Sequence, residues 1–237
     1  MRPTPAGPTP RAPRHRPSPG RPVLLPTTRP RRPAPRAGRL LYGVLALAMA
    51  GAAACTPNTE QARPYPERIA AQRAAKDAYF RSAPDSPITA DTRDEFLPLA
   101  YFPIDQEWVA SAQIVPSERE PAIEMPTSTG QRRLMRRAGT LKFSVKGQAL
   151  QLTAFVEADD RTMTRLFVPF GDRTNGTETY AAGRYLDLQR TATGLYEVDF
   201  NLAYQPYCYY NPTYDCPYPP AENRLPTPVR AGERMRP

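Results

Sequence analysis

Histidine is almost absent from this sequence, which has 237 residues and a single histidine, His15. Because His15 lies in an N-terminal tail, the expected folded domain has none. Mechanisms that need a serine–histidine–aspartate triad, a cysteine–histidine pair or a histidine-bound metal are therefore excluded. The sequence also lacks the G-x-x-x-x-G-K-[ST] phosphate loop and the G-x-G-x-x-G dinucleotide loop. We accordingly expect no cofactor and no chemistry driven by nucleotides.

Acidic residues are missing from residues 1–39, which hold ten of the 32 basic residues and twelve prolines. The rest of the chain has 22 basic and 23 acidic residues, so the formal charge of +9 comes from this tail. A nearly neutral domain does not attract phosphates in general, and no nucleic-acid partner is expected. The composition predicts a disordered tail. It is either a basic arm that touches membrane or acidic polymer, or the product of a translation start placed too far upstream.

Long hydrophobic runs are also scarce, and the one present is "LLYGVLALAMAGAAA", residues 40–54, which ends at Cys55. Fifteen residues are too few to cross a bilayer but suit the apolar region of a signal peptide. The stretch "AAAC" resembles a bacterial lipobox, which implies a lipid on Cys55. Residues 40–55 are thus interpreted as signal peptide and lipobox, residues 56–66 as a tether and residues 67–237 as one domain. This predicts an extracytoplasmic lipoprotein of the cell envelope, whose partner is the membrane. The alternatives are an ordinary secretory signal or an uncleaved N-terminal anchor.

The sequence has only three cysteines, and if Cys55 carries lipid, Cys208 and Cys216 remain as a pair. In an oxidising compartment an even pair favours a disulfide. The alternative is that the two thiolates begin a zinc site. Since the domain offers no histidine and no further cysteine pair, we expect no metal.

The domain is predicted to be mainly β, an antiparallel barrel or sandwich with one N-terminal helix. The helix is expected from Pro66 in "PERIAAQRAAKDAYFRS", which has Ile69, Tyr79 and Phe80 as its only large apolar side chains. Beyond it, apolar residues alternate with polar ones, which indicates strands. The alternating positions are Trp108 to Ile114, Leu141 to Val145, Leu150 to Val156, Leu166 to Phe170, Tyr180 to Leu188 and Tyr196 to Tyr204. Asn175-Gly176 is interpreted as the turn of a hairpin.

The C-terminal segment, from "AYQPYCYYNPTYDCPYPP" onward, is rich in proline and tyrosine. Its prolines are incompatible with a central strand or helix, so we expect a long ordered loop that wraps around the domain. The tyrosines either pack this loop against the domain or line a ligand groove.

Carboxylates are the remaining candidates for catalysis, since two acids at a suitable separation can hydrolyse glycosides. Asp172, Glu178, Asp199 and Glu222 are the acids considered. Arg184 interrupts the apolar face of its strand, which predicts either a buried ion pair or an anion-binding group.

Four motifs together resemble the prokaryotic family catalogued as domain of unknown function number 1684. They are "RAAKDAYFRSAPDSPI", "FLPLAYFPID", "VPFGDRTNGTETYAAGRYLDL" and "DFNLAYQPYCYYNPTYDCPYPPAENRLPTPVRAGER". The resemblance implies no activity, cofactor or substrate. Of the polar residues in and beside these motifs, the candidate ligand or acid/base site comprises Arg184, Asp199, Asn201, Tyr207, Glu222 and Asn223.

The sequence supports three functional hypotheses. The first is an exported, lipid-anchored domain that binds a small molecule or a component of the cell envelope. The second is a carboxylate-based, glycosidase-like hydrolase that uses the same pocket. The third is a structural module of the envelope.

Overall fold

This computed structural model describes residues 63–117 and 122–236 of the chain. The predicted tail of residues 1–39, the signal peptide and lipobox of residues 40–55 and most of the tether lie outside the described residues. Within the described residues, no helix has both the length and the apolar character needed to cross a membrane.

The predicted N-terminal helix is confirmed as α1, Tyr65–Ser82, with a proline in its first turn. Ile69 and Phe80 are buried and attach the helix to the rest of the domain. Tyr79 instead remains 44% exposed, and its hydroxyl donates a hydrogen bond to Asp85. With only two large side chains buried, α1 depends on polar contacts for its remaining attachment.

A nearly closed antiparallel barrel forms the body of the domain, which confirms the predicted fold class. Its strands are β1 (Val109–Pro116), β2 (Ile123–Pro126), β3 (Arg132–Val145), β4 (Gln148–Glu157), β5 (Arg165–Phe170), β6 (Arg184–Gln189) and β7 (Tyr196–Asp199). The strands lie in the order β6-β5-β4-β3-β1-β7, and β2 pairs with β3. Arg190, just after β6, bridges to Tyr196 at the start of β7, so the two ends of the sheet meet.

The core lies inside the barrel, where every second residue of each strand points. In β5 and β6 the inward apolar side chains are Leu166, Val168, Phe170, Leu186 and Leu188, and each is buried. Phe200 packs edge-on against Trp108 and Phe170 at ring distances of 5.8 and 5.3 Å. Side chains from the strands therefore fill the interior of the barrel.

Three predictions need correction. The alternation from Tyr196 to Tyr204 predicts one long strand, but β7 ends at Asp199, whose carboxylate accepts a hydrogen bond from Asn201 N–H and starts a 3₁₀ turn. The alternation from Tyr180 to Leu188 predicts another strand, but β6 begins only at Arg184. The third concerns Asn175-Gly176, which lies in a loop joining β5 and β6 rather than in a two-residue hairpin. Gly176 has the expected positive φ of 82°, and the Asn175 side chain bonds to Thr179 and to the backbone of Asp172.

The C-terminal segment, Tyr204–Arg236, wraps around the barrel as predicted, with the short helix α3 (Tyr207–Tyr210) and a 3₁₀ turn (Ala221–Asn223). Isolated bridges attach it at several places, among them Tyr185 with Tyr204 and Thr127 with Pro217. The short helix α2 (Arg93–Phe96) lies under it, and Phe96 packs on Tyr209 and Tyr210 at 5.5 and 5.3 Å. Part of the tyrosine-rich stretch therefore packs the segment against the domain, which is one of the two interpretations expected.

Candidate functional site

A cleft of about 720 Å³ lies on the outer face of the barrel, between the sheet and the C-terminal segment. Its floor consists of side chains that point away from the barrel core, namely Met135, Phe155, Phe167 and Tyr185. Phe155 and Phe167 are direct partners across β4 and β5. The sheet is thus apolar on both faces in this region, and the C-terminal segment covers part of the outer one.

Further tyrosines, which continue from Tyr185 of the floor, form a wall of the cleft. Tyr185 packs on Phe167 and Tyr204 with ring distances of 4.7 and 5.7 Å, both nearly perpendicular. Tyr207 and Tyr214 form a second perpendicular pair at 5.3 Å. Burial raises the pKa of Tyr185 and Tyr204 far above the ordinary tyrosine value and raises that of Tyr207 as well. These side chains are therefore neutral at physiological pH, and the hydroxyls of Tyr185 and Tyr204 donate hydrogen bonds.

Ion pairs line the rim of the cleft. Arg165 meets Asp187 at 2.7 Å, and the same carboxylate oxygen accepts the hydroxyl of Tyr204 at 2.6 Å. This bond to Asp187 raises the pKa of Arg165. Arg133 meets Glu157 at 2.6 Å.

Lys76 of α1 completes the set of cations in the cleft. Its ammonium pairs with the buried carboxylate of Glu233 and lies 4.9 Å from the centre of the Tyr204 ring. Glu233 also accepts hydrogen bonds from Tyr210 and from the backbone of Gln205. Each cation that lines the cleft thus has a carboxylate partner.

The structure places Arg184 inside the domain, away from the cleft. Its side chain is fully buried and meets Asp172 at 2.9 Å. The guanidinium also donates to the backbone oxygens of Val229, Ala231 and Glu233. Of the two interpretations of Arg184, the geometry is that of a buried ion pair, which attaches the C-terminal segment to β6.

Asp199 and Asn201 lie together under the start of α1. The Tyr65 hydroxyl is 2.9 Å from both carboxylate oxygens of Asp199 and accepts a hydrogen bond from the amide of Asn201. Asn201 also exchanges hydrogen bonds with the backbone of Asp105. Burial raises the pKa of Tyr65 well above the ordinary value. This cluster joins α1 to the barrel.

Asn223 and Glu222 lie in a third region of the domain, apart from Arg184 and from the Asp199–Asn201 cluster. The Asn223 amide donates to the carbonyls of Thr153 and Pro169, and its oxygen accepts from the N–H of Thr153, so it joins β4 to β5. Glu222 is at the surface, 3.0 Å from Arg137.

The shortlist from the sequence is therefore spread over separate places. Among its six residues, Tyr207 lines the cleft, and the other five hold the fold together or lie at the surface. The four acids considered for hydrolysis likewise have different partners. Asp172 pairs with Arg184, Asp199 with Tyr65, Glu222 with Arg137 and Glu178 with Arg230.

Cys208 and Cys216 are buried thiols that lie against each other, and Cys216 lines the cleft. The backbone N–H of Cys208 donates to the sulfur of Cys216 at 3.1 Å. Hydrogen bonding with Cys216 lowers the pKa of Cys208 to about 7, while the same contact and burial raise the pKa of Cys216. The structure brings the predicted partners together as free thiols, and their disulfide stays a prediction.

Sequence reasoning missed the floor of the cleft, although a signal for it is present. In "TAFVEA" the residues Ala154, Phe155 and Val156 are successive apolar residues, and all three are buried. Such a run interrupts the alternation and indicates a strand covered on both faces. On the outer face of the sheet, Phe155 lines the cleft.

Together these features define a nearly closed antiparallel barrel with a tyrosine-walled cleft on its outer face. The family described as "Protein of unknown function (DUF1684)" matches residues 94–234, and the chain belongs to it. The solution NMR structure of an uncharacterized protein from Haloarcula marismortui is 37% identical. It has a TM-score of 0.57, and the match covers 71% of this chain and 92% of that one. A search of curated proteins finds no match.

Proposed function

We propose that this protein binds a small molecule in the cleft on the outer face of its barrel. The observation that carries the proposal is the cleft itself, about 720 Å³, with an aromatic floor and a polar rim. Ligand sites are typically concave, between about 300 and 1,000 Å³, and combine apolar walls with a few fixed polar groups. The size, the apolar walls and the fixed polar groups of such a site are found together in this cleft.

The cleft is built before any ligand arrives, which favours binding. The hydroxyl of Tyr185 donates to the carbonyl of Pro217 at 2.6 Å, and that of Tyr204 donates to Asp187. Side chains already held by such bonds lose little conformational freedom when a ligand binds. Less of the interaction energy is then spent on ordering the site.

A thermal-shift screen of the full chain in detergent, against a broad set of metabolites, tests the proposal. A ligand at 100 times its dissociation constant stabilises the native state by about 2.7 kcal/mol, which corresponds to about 5 to 10 °C in melting temperature. We expect this shift in the wild type and in Tyr218→Ala. We expect its loss in the double variant Tyr207→Ala/Tyr214→Ala.

Tyr218 is a matched control because it is 38% exposed, close to the 36% of Tyr207, but does not line the cleft. A screen in which no compound raises the melting temperature contradicts the proposal. So does a shift that persists in the double variant, because the ligand would then bind at another place.

We also propose that the protein is exported and anchored to the membrane by a lipid on Cys55. Arg36 and Arg39, the apolar run of residues 40–54 that follows them and the motif "AAAC" support this. Export also places Cys208 and Cys216 in an oxidising compartment, where a disulfide between them is expected.

Mass spectrometry of the protein isolated from bacterial membranes tests the anchor. We expect the mature chain to begin at Cys55 with an added acyl mass, and a Cys55→Ser variant to lack that mass and to leave the membrane fraction. A mature chain that begins at a different residue, or a wild type without acyl mass, contradicts lipid anchoring.

A further inference from the structure

The charges around the cleft restrict what it can bind. Arg133, Arg165 and Lys76 each have a carboxylate partner. An anionic ligand has to displace one of these carboxylates before it gains a cation, and an ion pair already formed offers it little net attraction. The pairs therefore disfavour phosphate and carboxylate ligands.

Several polar groups in the cleft still have capacity for hydrogen bonds. Among the described residues, Oδ1 of Asp187 and the hydroxyls of Tyr207 and Tyr214 have no hydrogen-bond partner, whereas Oδ2 of Asp187 is taken by Tyr204 and Arg165. A free carboxylate oxygen accepts, and a tyrosine hydroxyl both donates and accepts. A ligand that both donates and accepts at neighbouring positions satisfies this set.

The aromatic rings that line the cleft impose a second requirement on the ligand. Tyr207 and Tyr214 stand at an interplanar angle of 86°, so they offer a ring face and a ring edge to the same space. Ring faces carry partial negative charge and attract weakly positive C–H groups. A ligand that fits must therefore have a face of C–H groups beside its hydroxyls.

We propose that the cleft binds an uncharged saccharide, a ligand class in which adjacent hydroxyls and a C–H face occur on one ring. This inference rests on the proposed function, because it names the ligand class of the same site. In the complex, Oδ1 of Asp187 accepts hydrogen bonds from the sugar hydroxyls, and the ring face that the tyrosine pair presents packs on the C–H face of the sugar. The ion pair with Arg165 holds the Asp187 carboxylate in the orientation in which Oδ1 accepts these bonds.

The test is a titration of the full chain in detergent micelles, followed by amide NMR shifts, with four probes at concentrations up to about 10 mM. The probes are neutral disaccharides of glucose and of N-acetylglucosamine, the anionic sugar glucuronate, and the planar heterocycle adenine. We expect at least one neutral disaccharide to bind and to shift the amide resonances of residues 204–217. Its affinity should change less than about twofold between 0.05 and 0.5 M salt, since a neutral ligand is not screened.

Two variants locate the contacts. We expect Asp187→Asn to lower the affinity about tenfold by replacing an ionised acceptor, and Tyr207→Ala/Tyr214→Ala to remove detectable binding. Tyr218→Ala should bind as the wild type does. Amide spectra of each variant establish that it is folded.

The outcomes separate this inference from the proposed function. If the cleft takes adenine, glucuronate or a compound from the thermal screen but no neutral disaccharide, the saccharide assignment is wrong and small-molecule binding stands. If saccharide binding persists in the double tyrosine variant, the sugar lies elsewhere and the assignment is also wrong. A cleft that nothing occupies overturns both.

Discussion

Replacing Arg184 with methionine is expected to lower the free energy of unfolding by about 3 to 5 kcal/mol, because it leaves a buried charge without its partner. Neither side chain of the Arg184–Asp172 pair is exposed. The substitution also removes the donors to the carbonyls of Val229 and Ala231, which are themselves buried. The C-terminal segment then loses its attachment to β6.

Urea unfolding followed by the fluorescence of Trp108 measures this loss, since the chain has one tryptophan and it is buried in the core. Arg230→Met is the matched control, because Arg230 forms an exposed pair with Glu178 in the same region. Exposed pairs contribute about 0 to 1 kcal/mol, so the control should unfold almost as the wild type does. Equal losses in the two variants would show that burial of the Arg184 pair does not matter.

The strands that could be predicted from the sequence are those with one covered face. In β3 the alternation of Leu141, Phe143 and Val145 with the exposed Lys142 and Ser144 indicates the inward face directly. The strand β2 lacks such a signal, because it has four residues and only Met125 is fully buried. Alternation also continues past Asp199, where the carboxylate caps a turn and ends β7. A local hydrogen bond of this kind overrides the pattern.

The candidate site is harder to predict for a physical reason. A polar residue on an apolar strand face, such as Arg184, signals that something polar is buried beside it. The sequence alone does not show whether this polar partner is a ligand or a set of backbone carbonyls 45 or more residues away along the chain. Asn223 presents a similar difficulty, since it lies in a 3₁₀ turn and its partners at Thr153 and Pro169 come from β4 and β5, far away in the sequence.

The polar residues that fix the C-terminal segment also determine the shape of the cleft. Glu233 accepts hydrogen bonds from Tyr210 and the backbone of Gln205 while it pairs with Lys76 at the cleft. The end of the chain therefore positions the tyrosines that form the wall. The residues that hold the fold and those that line the cleft are thus connected in this domain, because the buried pairs act on the cleft through the segment that they hold.

Substituting alanine for Gly232 is expected to destabilise the domain by about 2 to 5 kcal/mol, for two reasons that add. Gly232 has φ of 80°, a conformation that is strained for a residue with a side chain. An added Cβ would also lie 2.5 Å from the carbonyl oxygen of Ala203 and 2.6 Å from that of Phe200. Both oxygens belong to the backbone and accept hydrogen bonds, from Glu233 and Ala203 respectively, so they cannot move freely.

Gly130 separates the two reasons, because it has the same φ of 80° but no atom within 4 Å of the position of a Cβ. Gly130→Ala should therefore cost only the backbone strain, about 1 to 2 kcal/mol. The difference between the free energies of unfolding of the two variants, measured in urea, gives the cost of the close approach at Gly232 alone. Equal losses of unfolding free energy in the two variants would mean that the backbone around Ala203 moves away from the added Cβ without a measurable cost. A larger loss for Gly232→Ala, together with weaker ligand binding, would instead tie the tight packing of the chain's end to the wall of the cleft.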